Sequence, residues 1–182
     1  MKQMITKSLM AAALLIAPVV SQASTPPAKV QTMSSLENAV RHELVMLPYY
    51  GVFDNLSFQV DPHGVVTLMG QVNRPTLKSD AQNVVKRLEG VTEVRNQIEV
   101  LPLSPFDNRI RWAVARAIYS YNGPLYRYSM GTQPSIHIIV KNGNVTLTGV
   151  VASEFDRNVA NIRANQVSGV FQVKNELVVN KS

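Results

Sequence analysis

The residues with acid–base or metal chemistry to offer are few. His42, His63 and His137 are the only imidazoles in the chain. Imidazole acts as a general acid or base, or as a metal ligand, when a carboxylate or a second ligand stands at the right spacing. No two of these histidines share a ligand spacing, and none lies beside a matched pair of carboxylates. His42 falls in a helical pattern, His63 in a turn and His137 in a strand, so they read as unrelated surface or boundary residues. Asp54 and Asp61 read as loop and turn carboxylates. The absence of cysteine removes thiolate chemistry, disulfides and a lipid-modified cysteine. The glycines sit at hairpins and helix stops, not in a phosphate-cradling loop. The expectation is a protein without catalytic residues, cofactor or metal, and not an enzyme.

What does converge is a set of cations and aromatics. At 100° per residue, Arg109, Trp112, Arg116 and Tyr119 fall on one side of a helix, opposite Ile110, Val114, Ala117, Ile118 and Tyr121. An aromatic loop follows, with Tyr126, Arg127 and Tyr128. Tryptophan and tyrosine favour the headgroup level of a bilayer, and arginines near an anionic surface add about 1 kcal/mol each. These seven residues are the candidate site for anionic phospholipid. The competing expectation packs Trp112 against another part of the protein and leaves the arginines in water.

The elements that position these residues come in two sets. A first helix carries Leu36, Val40, Leu44 and Leu47 at helical spacing, capped by Ser34 or Ser35 and ended by Pro48. Leu56, Phe58 and Val60 alternate as a strand, and Asp61-Pro62-His63-Gly64 turns the chain into a return strand, Val65–Val72. A second helix opens at Asn73-Arg74-Pro75, buries Leu77, Ala81, Val84, Val85 and Leu88, and stops at Gly90. Val91 to Val100 is the third strand. The same order then repeats. After the helix bearing Trp112, Ile136, Ile138 and Val140 form a strand, and Asn142-Gly143 a hairpin turn. Ser153 caps a helix carrying Phe155, Val159, Ile162 and Val167, Gly169 stops it, and Val170–Val179 closes the unit.

The repetition extends to individual residues. Gly64-Val65-Val66-Thr67-Leu68-Met69-Gly70 returns 79 residues later as Gly143-Asn144-Val145-Thr146-Leu147-Thr148-Gly149, and Gly90-Val91 as Gly169-Val170 at the same offset. One constant offset means a duplicated domain. Each copy is helix, strand, strand, helix, strand, so the expected class is α+β: two tandem small sandwiches, each with two helices on one face of a three-stranded sheet.

These features resemble the BON domain. The likeness is carried by Asn142-Gly143-x-Val145-Thr146-Leu147-Thr148-Gly149 and by Gly169-Val170-x-x-Val173-x-Asn175-x-Leu177-x-Val179. In the first copy it is carried by Gly64-x-Val66-x-Leu68-x-Gly70 and Gly90-Val91-x-x-Val94-x-Asn96-x-Ile98-x-Val100. The arrangement is similar to that of exported proteins of the OsmY type. The resemblance implies non-enzymatic attachment to phospholipid membranes of the cell envelope, linked to osmotic or envelope stress. In the family's lipid-binding members the aromatic of this helix falls near its first turn, where this chain has Arg109; Trp112 lies a turn later.

Residues 1–23 read as a secretory signal: Lys2 and Lys7, the apolar run Leu9–Val20, then Ser21-Gln22-Ala23. Export without disulfides points to the periplasm, with peripheral membrane contact. Residues 24–33 read as a tether, 34–101 as the first domain, 102–105 as a linker and 106–180 as the second domain. From Ser34 to Leu101 there are six Lys/Arg against eight Asp/Glu; from Phe106 to Ser182, nine against four. The second copy alone is basic, which favours an anionic partner for that half. The expected partner is an anionic membrane surface, with an envelope protein as a second kind. The alternative function is a holdase-like periplasmic protein that binds polypeptide through its aromatic loop and sheet edges. Export and the lack of a basic glycine clamp argue against nucleic acid. The oligomeric state stays open.

Overall fold

The computed structural model describes residues 28–131 and 133–180, with side chains from Ser35 on. The signal expected in residues 1–23 lies outside the described residues, as does the start of the tether. The first domain contains α1 (Ala28–Val45), β1 (Asn55–Val60), β2 (Val65–Val72), α2 (Pro75–Val85), β3 (Glu93–Asn96) and β4 (Glu99–Val100). The second contains α3 (Pro105–Ile118), a short 3-10 helix (Tyr126–Ser129), β5 (Ile136–Lys141), β6 (Asn144–Val151), α4 (Glu154–Asn165) and β7 (Gln172–Val179). In each sheet the second strand is central. It pairs antiparallel with its hairpin partner and parallel with the strand that returns after the helix. This is the α+β plan written in the repeat, realised as mixed sheets.

Two boundaries move. Helix α1 starts at Ala28, inside the segment expected as a tether, so Ser34 and Ser35 lie within the helix and not at its first residue. Nothing between Ala28 and Met33 breaks a helix, and Pro27 is tolerated just ahead of one. Helix α3 starts at Pro105, the last residue of the expected linker, with Ser104 as its cap: the Ser104 hydroxyl accepts the Asp107 amide.

The duplication survives in three dimensions. Gly64 and Gly143, Gly70 and Gly149, and Gly90 and Gly169 all hold positive φ. Asn96 donates to the Lys78 carbonyl and accepts the Ile98 amide, and Asn175 does the same with Arg157 and Leu177. That side chain ties the last strand to the second helix. In the first domain the strand breaks there into β3 and β4, whereas β7 runs through.

Helix α4 departs from expectation. Phe155 and Ile162 were expected inside but are 64% and 54% exposed; the buried residues are Asp156, Ala160 and Ala164. The repeat explains it. At the 79-residue offset, Leu77, Ala81 and Val85 of α2, all buried, answer Asp156, Ala160 and Ala164. The chain keeps the geometry of the first copy and places a carboxylate where that copy has leucine.

The domains pack together through the loop after α1. Val52 and Phe53 lie against the second domain's core, and the Val52 carbonyl accepts the Ile138 amide of β5. The Tyr50 ring stacks on His137, whose Nδ1 lies 3.2 Å from the Gly51 carbonyl. Leu101, the last residue of the first domain, is buried. His137, on the far face of β5 from Ile136 and Ile138, is thus a domain-contact residue.

Candidate functional site

The fold divides the seven expected lipid-binding residues into two groups. Arg109, Trp112 and Arg116 stand on the outward face of α3 and line one open groove of about 740 Å³ with Phe106, Ala113, Ser168 and Gly169. Trp112 is 59% exposed, and its ring meets Phe53 of the first domain edge-on, centroids 4.9 Å apart. It touches the other domain and still presents most of its surface to solvent. Arg109 lies over the Phe106 ring at 5.6 Å, and Phe106 is 5.9 Å from Phe171, itself 74% exposed. The face therefore joins two arginines to a chain of aromatics.

The other four residues do not line this groove. Helix α3 ends at Ile118, so the helical spacing that put Tyr119 outward no longer applies. Tyr119 turns into the core and donates to the Ile136 carbonyl, and burial pushes its phenol well above the usual range. For the same reason Tyr121, expected inward, is 78% exposed and meets the half-buried Tyr126 edge-on. Tyr128 is buried: its hydroxyl donates to Asp156 and accepts the Ala152 amide. Arg127 donates to the same carboxylate. Burial works against ionisation of Asp156, but bonds from Ser153 and Tyr128 and the Arg127 charge outweigh it, holding the carboxyl below the usual range. This is a structural clasp between the tyrosine loop and the start of α4.

Three groups escaped the sequence reading. Phe171 replaces Thr92 of the first copy at the 79-residue offset, a difference of the same kind that singled out Trp112. Phe53 sits in the first domain and joins the face only through domain contact. Arg111 is 1% exposed: it donates to the Asn108 side chain and to the Val140 carbonyl, and its Nε has no partner. Burial lowers its affinity for the proton, opposed by the charges of Asp107 and Asp54. The helical wheel sets Arg111 about 20° from Ile118, at the border of the buried face, and only its charge argued for solvent.

A family model for the BON domain matches residues 34–102 and 129–181. The chain belongs to the BON domain family. BON domain proteins are periplasmic or membrane-associated and are generally not enzymes. The comparison with curated protein sequences finds no match. Among solved structures the chain is similar to the C-terminal domain of CdsD, a structural protein of the type III secretion system of Chlamydia trachomatis. That likeness has 14% identity over 80% of this chain and 97% of that chain, TM-score 0.32. A second CdsD structure gives 15% identity over 81% and 94%, TM-score 0.31. Likeness at that level carries no functional argument. Among the described residues no group of histidines and carboxylates is placed to hold a metal, and no helix is long and apolar enough to cross a membrane.

The domain contact carries a pH dependence. His137 is pressed between Tyr50 and the Gly51 carbonyl, with Asp54 and, beyond it, Arg74 and Arg111 nearby. Burial lowers its pKa from the ordinary 6.5, more than its bonds to Gly51 and Asp54 and the Asp54 charge raise it. A base with a depressed pKa in the packed state binds fewer protons there than when released. Its contribution is full above about 6.5 and declines as pH falls toward the lowered value. Asp54, raised by burial, acts with the opposite sign and at lower pH. Domain separation measured by small-angle scattering should increase as pH falls below about 6.5 in wild type, and less in His137→Gln. An equal increase in both would assign the effect elsewhere.

Proposed function

We propose that this chain is an exported, non-enzymatic protein of the cell envelope that attaches to anionic phospholipid through its second domain, in the maintenance of the envelope under osmotic or related stress. The observation that supports this reading is the exposed Trp112 between Arg109 and Arg116 on one open face, in the more basic copy. Arg109 and Trp112 are three positions apart and Trp112 and Arg116 four, so all three project from neighbouring turns. An indole at the glycerol level with guanidinium groups at the phosphates is a complementary arrangement. Exposed Phe171 extends the apolar part, and Arg127 and Tyr128, committed to Asp156, are left out of the contact.

The test is co-sedimentation with vesicles of phosphatidylcholine alone or with a third phosphatidylglycerol, at low and high salt. Wild type should pellet with the anionic vesicles, less at high salt, with a blue shift of emission from its single tryptophan. Trp112→Ala together with Arg116→Ala should weaken binding about tenfold or more, at roughly 1 kcal/mol per arginine plus the lost indole. Wild type that ignores anionic vesicles, or a double variant that binds equally, would overturn the reading.

A further inference from the structure

The two domains treat the free edge of their sheets differently. Strand β5 pairs only with β6, and the register makes Ile136, Ile138 and Val140 the residues whose amides and carbonyls point away from the hairpin. That edge is filled. The Tyr119 hydroxyl reaches the Ile136 carbonyl, the Val52 carbonyl takes the Ile138 amide, and Arg111 reaches the Val140 carbonyl. Groups from elsewhere in the chain, a turn carbonyl and two side chains, thus already occupy one of these edges.

Strand β1 is the matching edge of the first domain, with Leu56, Phe58 and Val60 as its outward-pointing residues. Tyr50 reaches the Leu56 backbone. The Phe58 amide and carbonyl and the Val60 carbonyl have no partner among the described residues. The helix explains the difference. Leu36, Val40 and Leu44 of α1 answer Ile110, Val114 and Ile118 of α3, which sets Glu37 where α3 has Arg111. A carboxylate has no proton to give a carbonyl, so the cap that closes β5 is absent from β1. What remains is an open groove of about 490 Å³ between α1 and β1, lined by Glu37, Arg41 and residues 56–60, with the Arg41 guanidinium 5.6 Å from the Phe58 ring centre.

We propose that this groove binds an extended polypeptide segment of a partner protein as an added strand on β1. Unpaired edge groups are a template for strand addition, and backbone bonds give affinity while side-chain sites give specificity. The charges select the segment. Glu37 and Arg41 are one turn apart, about 6 Å along the helix. Two strand residues span about 6.8 Å, so a basic and an acidic side chain two positions apart meet both. Arg41 stands over Phe58 and Glu37 nearer the Val60 end, by its equivalence to Arg111. An antiparallel segment therefore reads basic, any, acidic from its amino end. The site lies in the other domain from the proposed membrane face and does not depend on it.

The test uses the whole chain and the acetylated, amidated peptide Thr-Val-Thr-Lys-Thr-Asp-Thr-Val-Thr, with binding followed by fluorescence anisotropy of a labelled copy. Its companions are the peptide with Lys and Asp exchanged, and one N-methylated at alternate residues on the side facing β1. The first peptide should bind at least tenfold tighter than the exchanged one, and N-methylation should abolish binding. In the double variant Glu37→Arg with Arg41→Glu the preference should reverse, an outcome that damage to the fold cannot produce. Equal binding of both peptides, binding that survives N-methylation, an unchanged preference in the variant, or no binding at millimolar peptide would each overturn the proposal.

Discussion

Gly149→Ala should unfold the second domain while the first keeps its fold. Gly149 has φ +119°, and a Cβ built there would lie 2.0 Å from the Ser135 carbonyl oxygen and 3.4 Å from the Ile136 Cα. Both obstacles are backbone of the partner strand, so no side chain can swing aside. The alanine costs about 1–2 kcal/mol for the left-handed conformation alone. Relieving the overlap means prising β5 from β6 at the start of the hairpin, where the ladder holds the core residues Ile136 and Ile138 in place. With domain stabilities of about 5–15 kcal/mol, and small domains at the low end, the sum removes most of what is available. Gly70→Ala should do the same to the first domain, since its Cβ would lie 2.0 Å from the Asn55 carbonyl oxygen. Gly51→Ala is the control: nothing lies within 4 Å of its Cβ, and the change should stay within about 0.5 kcal/mol. Urea unfolding followed both by Trp112 emission, which reports the second domain, and by far-ultraviolet circular dichroism, which reports both, separates the three. A Gly149→Ala protein with the wild-type midpoint would show that the close approach is not needed.

That glycine also shows why the fold was legible and the site less so. Backbone geometry repeats wherever the chain repeats, and the 79-residue offset located the three glycine pairs and the two strand-tying asparagines from sequence alone. The same offset relates Asp156, Ala160 and Ala164 to the buried Leu77, Ala81 and Val85, a correspondence the sequence reading did not use when it followed apolar residue type to Phe155 and Ile162. A buried carboxylate breaks the rule that apolar residues face inward; the bonds from Arg127, Tyr128 and Ser153 that make it tolerable come from a loop 28 and 29 residues before it and from its own cap. Those partners are set by tertiary structure, and no periodicity carries them. Tyr119 illustrates a smaller effect: one residue beyond the end of α3, the helical wheel gives the wrong direction. Arg109, Trp112 and Arg116, inside the helix, came out as the wheel places them.

The largest single-residue loss outside the glycines should come from Asp107. Its carboxylate is fully buried and accepts the amides of Asn142 and Gly143, the two turn residues of the β5–β6 hairpin. It also supplies negative charge to Arg111, which is 1% exposed. The first domain needs no such residue, because Asp61 holds its own turn locally by accepting the His63 and Val65 amides. Asp107→Ala strips two partly buried amides of their acceptor and leaves a buried guanidinium with less compensation. Leaving a buried donor without its acceptor costs about 1–3 kcal/mol, and more where a charge is involved. Removing the second charge should return part of that loss. A double variant with Arg111→Met is expected to be more stable than Asp107→Ala by about 1–3 kcal/mol, though still weaker than wild type because the turn amides stay unpaired. Denaturant midpoints of wild type, both single variants and the double variant close the cycle. If the two losses simply add, Asp107 acts on the turn alone and the buried arginine draws its compensation from Asp54 across the domain contact.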